Sequence, residues 1–136
     1  MFRALTAQLL SWIARRQAYP CSVSVNADAH GITVSRILRN QTTVDTTLPW
    51  THVESIGVLR RDIYARDLIC MLIRTTEGHM IEFDESASGW ETLLDALADR
   101  LHPIVPREQW FVGLMAKPPG SAAITIYERL AKTASH

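Results

Sequence analysis

The chain has 136 residues, the length of one domain that can bury its own hydrophobic core. Lysine and arginine together number 14, as do aspartate and glutamate, so the formal net charge at pH 7 is zero. A chain without an overall field does not attract a polyanion at long range, so nucleic acid is not expected as a partner. Cys21 and Cys70 belong to no metal-ligand spacing, which favours a reducing, cytoplasmic location, with a single disulfide as the alternative.

The first 16 residues predict an amphipathic helix. Its apolar side chains recur at helical spacing and are Phe2, Leu5, Leu9, Trp12 and Ile13. The segment lacks the unbroken apolar centre of a signal peptide or membrane span. We expect it to pack on its own domain or on a second copy. The alternative is a helix that lies on a membrane surface with its arginines near the headgroups.

After residue 19 the sequence becomes typical of β-structure. Short alternating runs bounded by turn residues predict strands at residues 21–26, 32–38, 42–48 and 53–59. The charged residues 60–66 predict a solvated loop or hairpin tip. The continuously apolar run at residues 68–73 predicts a central or doubly covered strand, and residues 80–84 predict its hairpin partner.

A helix is predicted to follow these strands. Ser88 and Glu91 have the spacing of a capping box, which indicates a helix start there. An apolar stripe then runs through Trp90, Leu93, Leu94, Leu97 and Leu101. We expect this stripe to pack on the sheet, and the helix to end before His102 and Pro103.

The remaining residues, 103–136, are expected to form an extension that packs on the same domain. Trp110, Phe111 and Val112 predict a short strand or a hydrophobic plug, and residues 117–120 predict a turn. Residues 122–130 fit a strand or a helix, with a strand preferred at residues 124–127 because branched side chains alternate there.

Residues 23–101 resemble the pleckstrin-homology-like (PH-like) superfamily, and in particular small uncharacterised bacterial proteins of that kind. The resemblance is carried by Leu48, Pro49, Trp50, Val53, Ile56, Asp67, Gly78, Glu82, Gly89, Trp90, Leu93 and Leu97. It implies an α+β fold: an antiparallel bent sheet or barrel of six to seven strands at residues 20–102, capped by one long amphipathic helix. It implies no catalytic residue. The loop at residues 27–30 lacks the basic side chains with which phosphoinositide-binding members hold headgroups, so no phosphoinositide is expected.

Two groups of polar residues are candidates for a chemical site. Glu82, Asp84, Glu85 and the nearby His79 form the one dense acidic group, which could divide acid and base roles in a small hydrolase. A solvated strand face running into a helix start explains the same residues without chemistry, and we favour it. The five histidines show no ligand spacing, so neither a metal nor another cofactor is expected.

The sequence therefore predicts a non-enzymatic interaction domain, of adaptor or immunity-like type, that contacts a protein partner or itself as a homodimer or larger assembly. The candidate binding residues are aromatic or apolar side chains outside the barrel segment: Phe2, Trp12, Ile13, Trp110 and Phe111. An uncovered sheet edge is a further candidate surface. The alternatives are a peripheral membrane protein that uses its first helix, and a small hydrolase with an acidic site.

Overall fold

The computed structural model describes residues 20–63 and 66–130, and this part of the chain contains seven β-strands and two α-helices. In chain order these elements are β1 (Pro20–Ala27), β2 (Gly31–Leu38), β3 (Thr43–Pro49), β4 (Val53–Ile63), β5 (Arg66–Thr75), β6 (Met80–Asp84), α1 (Trp90–Arg100), α2 (Arg107–Met115) and β7 (Ile124–Glu128). A single 3-10 turn, Trp50–His52, joins β3 to β4. The helix predicted for residues 1–16 lies outside the described residues.

The strands form two antiparallel sheets. One sheet has the order β1-β2-β3, and the other has the order β6-β5-β4-β7. The first six strands follow one another as hairpins or short connections, whereas β7 follows both helices and joins the outer side of β4. This arrangement confirms an α+β fold of antiparallel strands and places the seventh strand after the helices.

The hydrophobic core lies between the sheets and follows the alternation of their strands. Fully buried inward-facing residues of the two central strands are Val53, Ile56, Val58, Met71 and Ile73. β5 lies between β4 and β6, as its apolar sequence predicts. Its other face is also covered at Leu68 and Cys70. Both faces of this strand therefore contribute to burial.

Most of the charged residues in the segment 60–66 lie in the strands of a hairpin. β4 continues to Ile63 and β5 begins at Arg66, so most of this segment belongs to one long hairpin. The guanidinium of Arg60 donates to the carboxylate of Asp67 at 2.7 Å, across the two strands. Opposite charges on paired strands support each other, and this allows polar residues to extend a hairpin. The strands therefore extend further into this segment than the predicted solvated loop or hairpin tip allowed.

The helix α1 begins where the sequence predicts, although by another mechanism. Its N-cap is Gly89, with a φ of 89°, and no side chain caps the helix. The backbone of Ser88 is bonded to β1 instead: its N–H donates to the carbonyl of Val23 at 3.0 Å, and its carbonyl accepts from the N–H of Val25 at 2.7 Å. The predicted capping box of Ser88 and Glu91 was wrong, because Ser88 bridges to the edge of β1.

The apolar stripe of α1 lies in the core, as predicted. Its buried members are Trp90, Leu93, Leu94 and Leu97, and Leu101 is buried just after the helix end. The indole of Trp90 packs edge-on against the ring of Phe83, with centroids 6.0 Å apart. Among the strands, α1 lies closest to β1. The helix therefore covers the core on the side where Ser88 meets β1.

The segment after α1 belongs to the same core. Residues 110–112 are helical, which corrects the predicted short strand. Trp110 and Leu114 are four residues apart, so they share one side of α2, and both are buried in the core. The predicted strand at residues 124–127 is confirmed by β7, which pairs with β4. No helix of the described residues is long and apolar enough to cross a bilayer.

Two arginines fasten this segment to the sheets. The Arg60 guanidinium donates to the carbonyls of Leu114 at 3.0 Å and Lys117 at 2.8 Å, where α2 ends. Cations are favoured at this end of a helix, where carbonyls lack partners. Arg129, just after β7, donates to the carbonyls of Val53 at 3.2 Å and of Thr51. These bonds hold the end of α2 against β4, and the residue after β7 against the start of β4 and the 3-10 turn before it.

Candidate binding surfaces

A groove lies between the two sheets, where β3 approaches the start of β6. β3 and β6 are terminal strands of their sheets and are not hydrogen-bonded to each other. The cavity between them has a volume of about 410 Å³. Its lining includes Arg36, Thr47, His52, Glu77, His79 and Met80. We call it the β3–β6 groove.

The register of β3 determines which of its backbone groups face away from β2. The ladder is bonded at both ends, from the Leu38 N–H to the Thr42 carbonyl and from the Trp50 N–H to the His30 carbonyl. Bonded positions alternate along an antiparallel pair, so the even-numbered residues of β3 bond to β2. The groups that point away from β2 belong to Thr43, Asp45 and Thr47.

The same reasoning applies to β6. The Thr75 N–H donates to the His79 carbonyl, and the Glu85 N–H donates to the Ile69 carbonyl, each at 2.9 Å. Odd-numbered residues of β6 therefore bond to β5. The backbone groups of Met80 and Glu82 point to the open side. Within residues 20–63 and 66–130, no strand pairs with this edge.

The side chain of Arg36 reaches across the groove. It starts on the inner face of β2 and donates to the backbone carbonyl of Glu82 at 3.4 Å. This long bond agrees with the Glu82 carbonyl facing the open side. The described residues place no carboxylate within salt-bridge distance of the Arg36 guanidinium. Arg36 thus brings a partly buried positive charge to the groove wall.

The predicted acidic group is separated by the fold into structural contacts. Glu82 forms an ion pair with Arg61 at 2.6 Å on the outer face of its sheet. The Asp84 carboxylate accepts from the N–H of Ser86 at 2.8 Å, and that of Glu85 accepts from the N–H of Ile69 at 2.9 Å. These contacts orient each carboxylate toward a different neighbour. They are the contacts of a solvated strand end, the interpretation that we favoured.

The histidines are distributed over several parts of the molecule. His52 and His79 line the β3–β6 groove. His30 lies in the turn between β1 and β2, and a ring nitrogen of His102 lies 3.0 Å from the Asp99 carbonyl. No group of three His, Cys, Asp or Glu residues in the described ranges is arranged to hold a metal ion.

The turn between β1 and β2 is closed by its own acidic residue. The Asp28 carboxylate accepts from the backbone N–H groups of His30 at 2.7 Å and Gly31 at 3.1 Å. These two bonds lower the pKa of Asp28, because they stabilise its charged form. The indole N–H of Trp50 donates to the Asp28 carbonyl at 2.7 Å. The turn is therefore organised around an anion, unlike a loop that collects cations for a headgroup.

Cys70 is a free, buried thiol, as the apolar run around it predicts. Desolvation raises the pKa of this thiol to about 11, and the nearby Glu82 carboxylate acts in the same direction. The thiolate is the nucleophilic form of cysteine, so a raised pKa makes this side chain inert near neutral pH. Cys70 serves as a small apolar side chain on the outer face of β5.

A second surface lies on the outward side of α2. Phe111, Val112 and Met115 are all exposed, with 43%, 67% and 44% of their surface accessible. Trp110 is 4% exposed and belongs to the core, so of the two binding residues predicted on this helix only Phe111 is accessible to a partner. Phe2, Trp12 and Ile13 lie outside the described residues. Binding by these predicted residues stays a prediction.

Sequence reasoning did not identify the groove residues Arg36 and Met80. One signal was present: Pro49 ends a threonine-rich strand, and proline in a strand indicates an edge. The register confirms that the nitrogen of Pro49 is on the outward side of β3. No comparable signal marks Arg36, because its position opposite Glu82 depends on how two sheets meet.

Comparison with known proteins gives no relative. No protein-family model, curated protein or solved structure was found to match the chain. The functional argument therefore depends on the surfaces described above.

Proposed function

We propose that this chain is a non-enzymatic protein-interaction domain, of adaptor or immunity-like type, that associates with a second copy of itself through the outward face of α2. The observation that carries the proposal is the exposure of Phe111, Val112 and Met115 on a helix whose other side is already buried. A short helix that is apolar on both sides is typical of one that is covered on both sides. A second copy offers the same apolar face, and pairing of like faces gives a closed two-fold dimer.

Charge does not oppose this pairing. The formal net charge of the chain is zero, so two copies do not repel each other at long range. Three exposed side chains form a small contact by the standard of stable dimers. We therefore expect a reversible dimer with a dissociation constant on the order of micromolar.

We further propose that the fold is PH-like and that the protein works in the cytoplasm. Two features support the fold: antiparallel hairpins precede α1, and the leucine stripe of that helix lies in the core. The seventh strand is a departure, since it follows the helices. The buried free thiol of Cys70 supports a reducing compartment.

The dimer is tested by sedimentation equilibrium of the full chain over a concentration series that spans the micromolar range. Val112→Glu places a charge in the centre of the proposed contact, and we expect it to shift the chain to a monomer. Ile37→Glu is the matched control, because Ile37 is an exposed apolar residue on β2. This strand is far from α2 in the sequence and does not belong to the sheet on which α2 packs. This variant should dimerise as the parent chain does.

Two results would contradict the dimer through α2. One is a monomeric parent chain at every concentration. The other is an equal effect of Val112→Glu and Ile37→Glu on the dissociation constant. Circular dichroism of all three chains confirms that the variants are folded before the comparison is made.

A further inference from the structure

The β3–β6 groove offers chemistry that the face of α2 does not: a strand edge that no strand of residues 20–63 and 66–130 pairs with, beside a positive charge. We propose that this groove binds an extended acidic peptide segment, whose backbone pairs with the open edge of β6 and whose carboxylate meets the guanidinium of Arg36. This site is separate from the proposed dimer contact, and either can exist without the other.

The backbone of β6 supports the first part of the proposal. Met80 directs its N–H and C=O to the open side, and Glu82 directs its N–H there as well. These groups recur every second residue, about 7 Å apart, which is the spacing at which another extended chain presents its own groups. Strand addition uses such an edge and obtains affinity from main-chain hydrogen bonds.

The charges of the groove support the second part. Glu77 and His79 lie at the rim, 4.0 Å apart and largely exposed. Glu82 is occupied by Arg61 on the outer face. Arg36 is a partly buried cation of the groove wall, and it has no carboxylate partner in the described part of the chain. A carboxylate accepts hydrogen bonds from a guanidinium in a fixed geometry, so an acidic side chain is the complementary group.

The present contact of Arg36 is easily replaced. Its bond to the Glu82 carbonyl is 3.4 Å long, which is at the weak end of hydrogen-bond geometry. A peptide that pairs with β6 would bring its own N–H toward that carbonyl and release the guanidinium. The same step would bring a peptide side chain to Arg36. Backbone pairing and charge recognition are therefore coupled in this groove.

The wall opposite β6 sets the side-chain preference of the peptide. β3 presents Thr47 and the half-buried Thr46 to the cavity, and Met80 adds an apolar side chain. Small β-branched residues favour extended backbone and fit between threonines. We expect the bound segment to combine one acidic residue with threonine or valine at neighbouring positions.

The probe is a displayed library of random linear peptides, selected on the immobilised full chain. We expect the selected sequences to be enriched in aspartate or glutamate and in β-branched residues. The best of them, made as a blocked synthetic peptide, should slow amide exchange at Met80 and Glu82 when it is added to the isotope-labelled chain. A copy of the peptide with methyl groups on alternate backbone nitrogens should lose this effect, since it cannot pair with an edge.

Protein variants test the charge. Arg36→Ala should weaken binding of the acidic peptide by about ten-fold, as expected for loss of one charge-assisted contact. Arg39→Ala is the matched control, because Arg39 is an exposed arginine in the turn that follows β2 and does not line the groove. It should leave the affinity unchanged. Replacing the peptide carboxylate by an amide should have the same effect as Arg36→Ala.

The proposal is overturned by any of three results. If the selected peptides are not enriched in acidic residues, Arg36 does not recognise a carboxylate. Equal binding to Arg36→Ala and to the parent chain would lead to the same conclusion. Protection that appears at the backbone of α2 and not at Met80 and Glu82 would place the peptide on the other surface.

Discussion

Two sides of this molecule differ in whether their strand edges are hydrogen-bonded to other elements. On one side the edge of β1 is bridged by Ser88, and the edge of β4 is covered by β7. On the other side, β3 and β6 end their sheets facing a groove. Backbone hydrogen bonds join the elements of the closed side, whereas the long bond from Arg36 crosses the open side. We therefore expect substitutions on the closed side to affect folding and those on the open side to affect binding.

The largest effect is expected at Gly89, on the closed side. A Cβ atom added there would lie 2.1 Å from the carbonyl oxygen of Val25, and the φ of this residue is 89°. This oxygen is a backbone atom, and the N–H of the same residue is bonded to the Ser88 carbonyl, so the strand cannot move away freely. Gly89→Ala should reduce the free energy of unfolding by about 4 kcal/mol, measured by urea denaturation.

Gly78→Ala separates the two causes of this loss. Gly78 has the same φ of 89°, but no atom lies within 4 Å of an added Cβ. Its substitution should cost about 1 kcal/mol, from backbone strain alone. Equal losses for the two alanine variants would show that the close contact of Gly89 with β1 does not stabilise the fold, and would remove the contrast between the two sides.

Proline substitutions in β3 test the open side. Val44 and Asp45 are both exposed neighbours, but the N–H of Val44 is directed to β2 and that of Asp45 to the open side. Val44→Pro removes a ladder bond and should cost about 2 kcal/mol. Asp45→Pro removes no ladder bond and should cost less than about 1 kcal/mol. A larger loss for Asp45→Pro would mean that the edge of β3 is paired.

The sequence was sufficient for most of the strands because their patterns are local. The alternation in β1 and β2, the apolar run of β5 and the stripe of α1 each depend on residues close together in the chain. The extension of β4 and β5 into the charged segment and the helix α2 were not predicted. Their stability depends on Arg60, which pairs with Asp67 and also holds the end of α2. The interleaved charges indicate local ion pairs such as that of Arg60 with Asp67, but nothing in the sequence indicates the bonds of Arg60 to the end of α2.

The candidate surfaces were harder to predict from the sequence than the strands and helices. Phe111 could be proposed as a binding residue because it lies outside the predicted barrel segment, but the burial of the adjacent Trp110 could not be predicted. The groove is formed by β2, β3 and β6, which meet only when the two sheets are assembled. Its most important residue, Arg36, sits at an inward-facing position of a strand, where sequence alternation predicts a core side chain.

A smaller effect is expected for the arginine that fastens α2. The side chain of Arg60 is 14% exposed and donates to two carbonyls as well as to Asp67. Arg60→Ala leaves those carbonyls at the helix end without their partner, and we expect the Tm to fall by about 5 °C. Arg61→Ala is the matched control on the next residue. Arg61 forms only an exposed pair with Glu82, so its loss should change the Tm by no more than about 2 °C.

The smallest effect concerns the ion pair that joins the two helices. Arg107 of α2 donates two hydrogen bonds to the carboxylate of Glu91 of α1, at 2.5 and 2.8 Å, and these bonds lower the pKa of Glu91. A carboxyl group with a lowered pKa in the folded state contributes stability above its ordinary pKa, and this contribution is lost as the pH falls through the folded value. The parent chain should therefore be slightly more stable than Glu91→Gln at pH 7. This difference should disappear when the pH falls below the lowered pKa of Glu91.

Urea denaturation at a series of pH values measures this difference, with salt held constant. Glu128→Gln is the control, since the described residues give the exposed Glu128 side chain no hydrogen-bond partner. It should differ from the parent chain by the same small amount at every pH. If the stability difference between Glu91→Gln and the parent chain is as independent of pH as that of the control, the ion pair between α1 and α2 does not stabilise the fold. The closed side would then be held by the backbone bridge of Ser88 and by the pairing of β7 with β4.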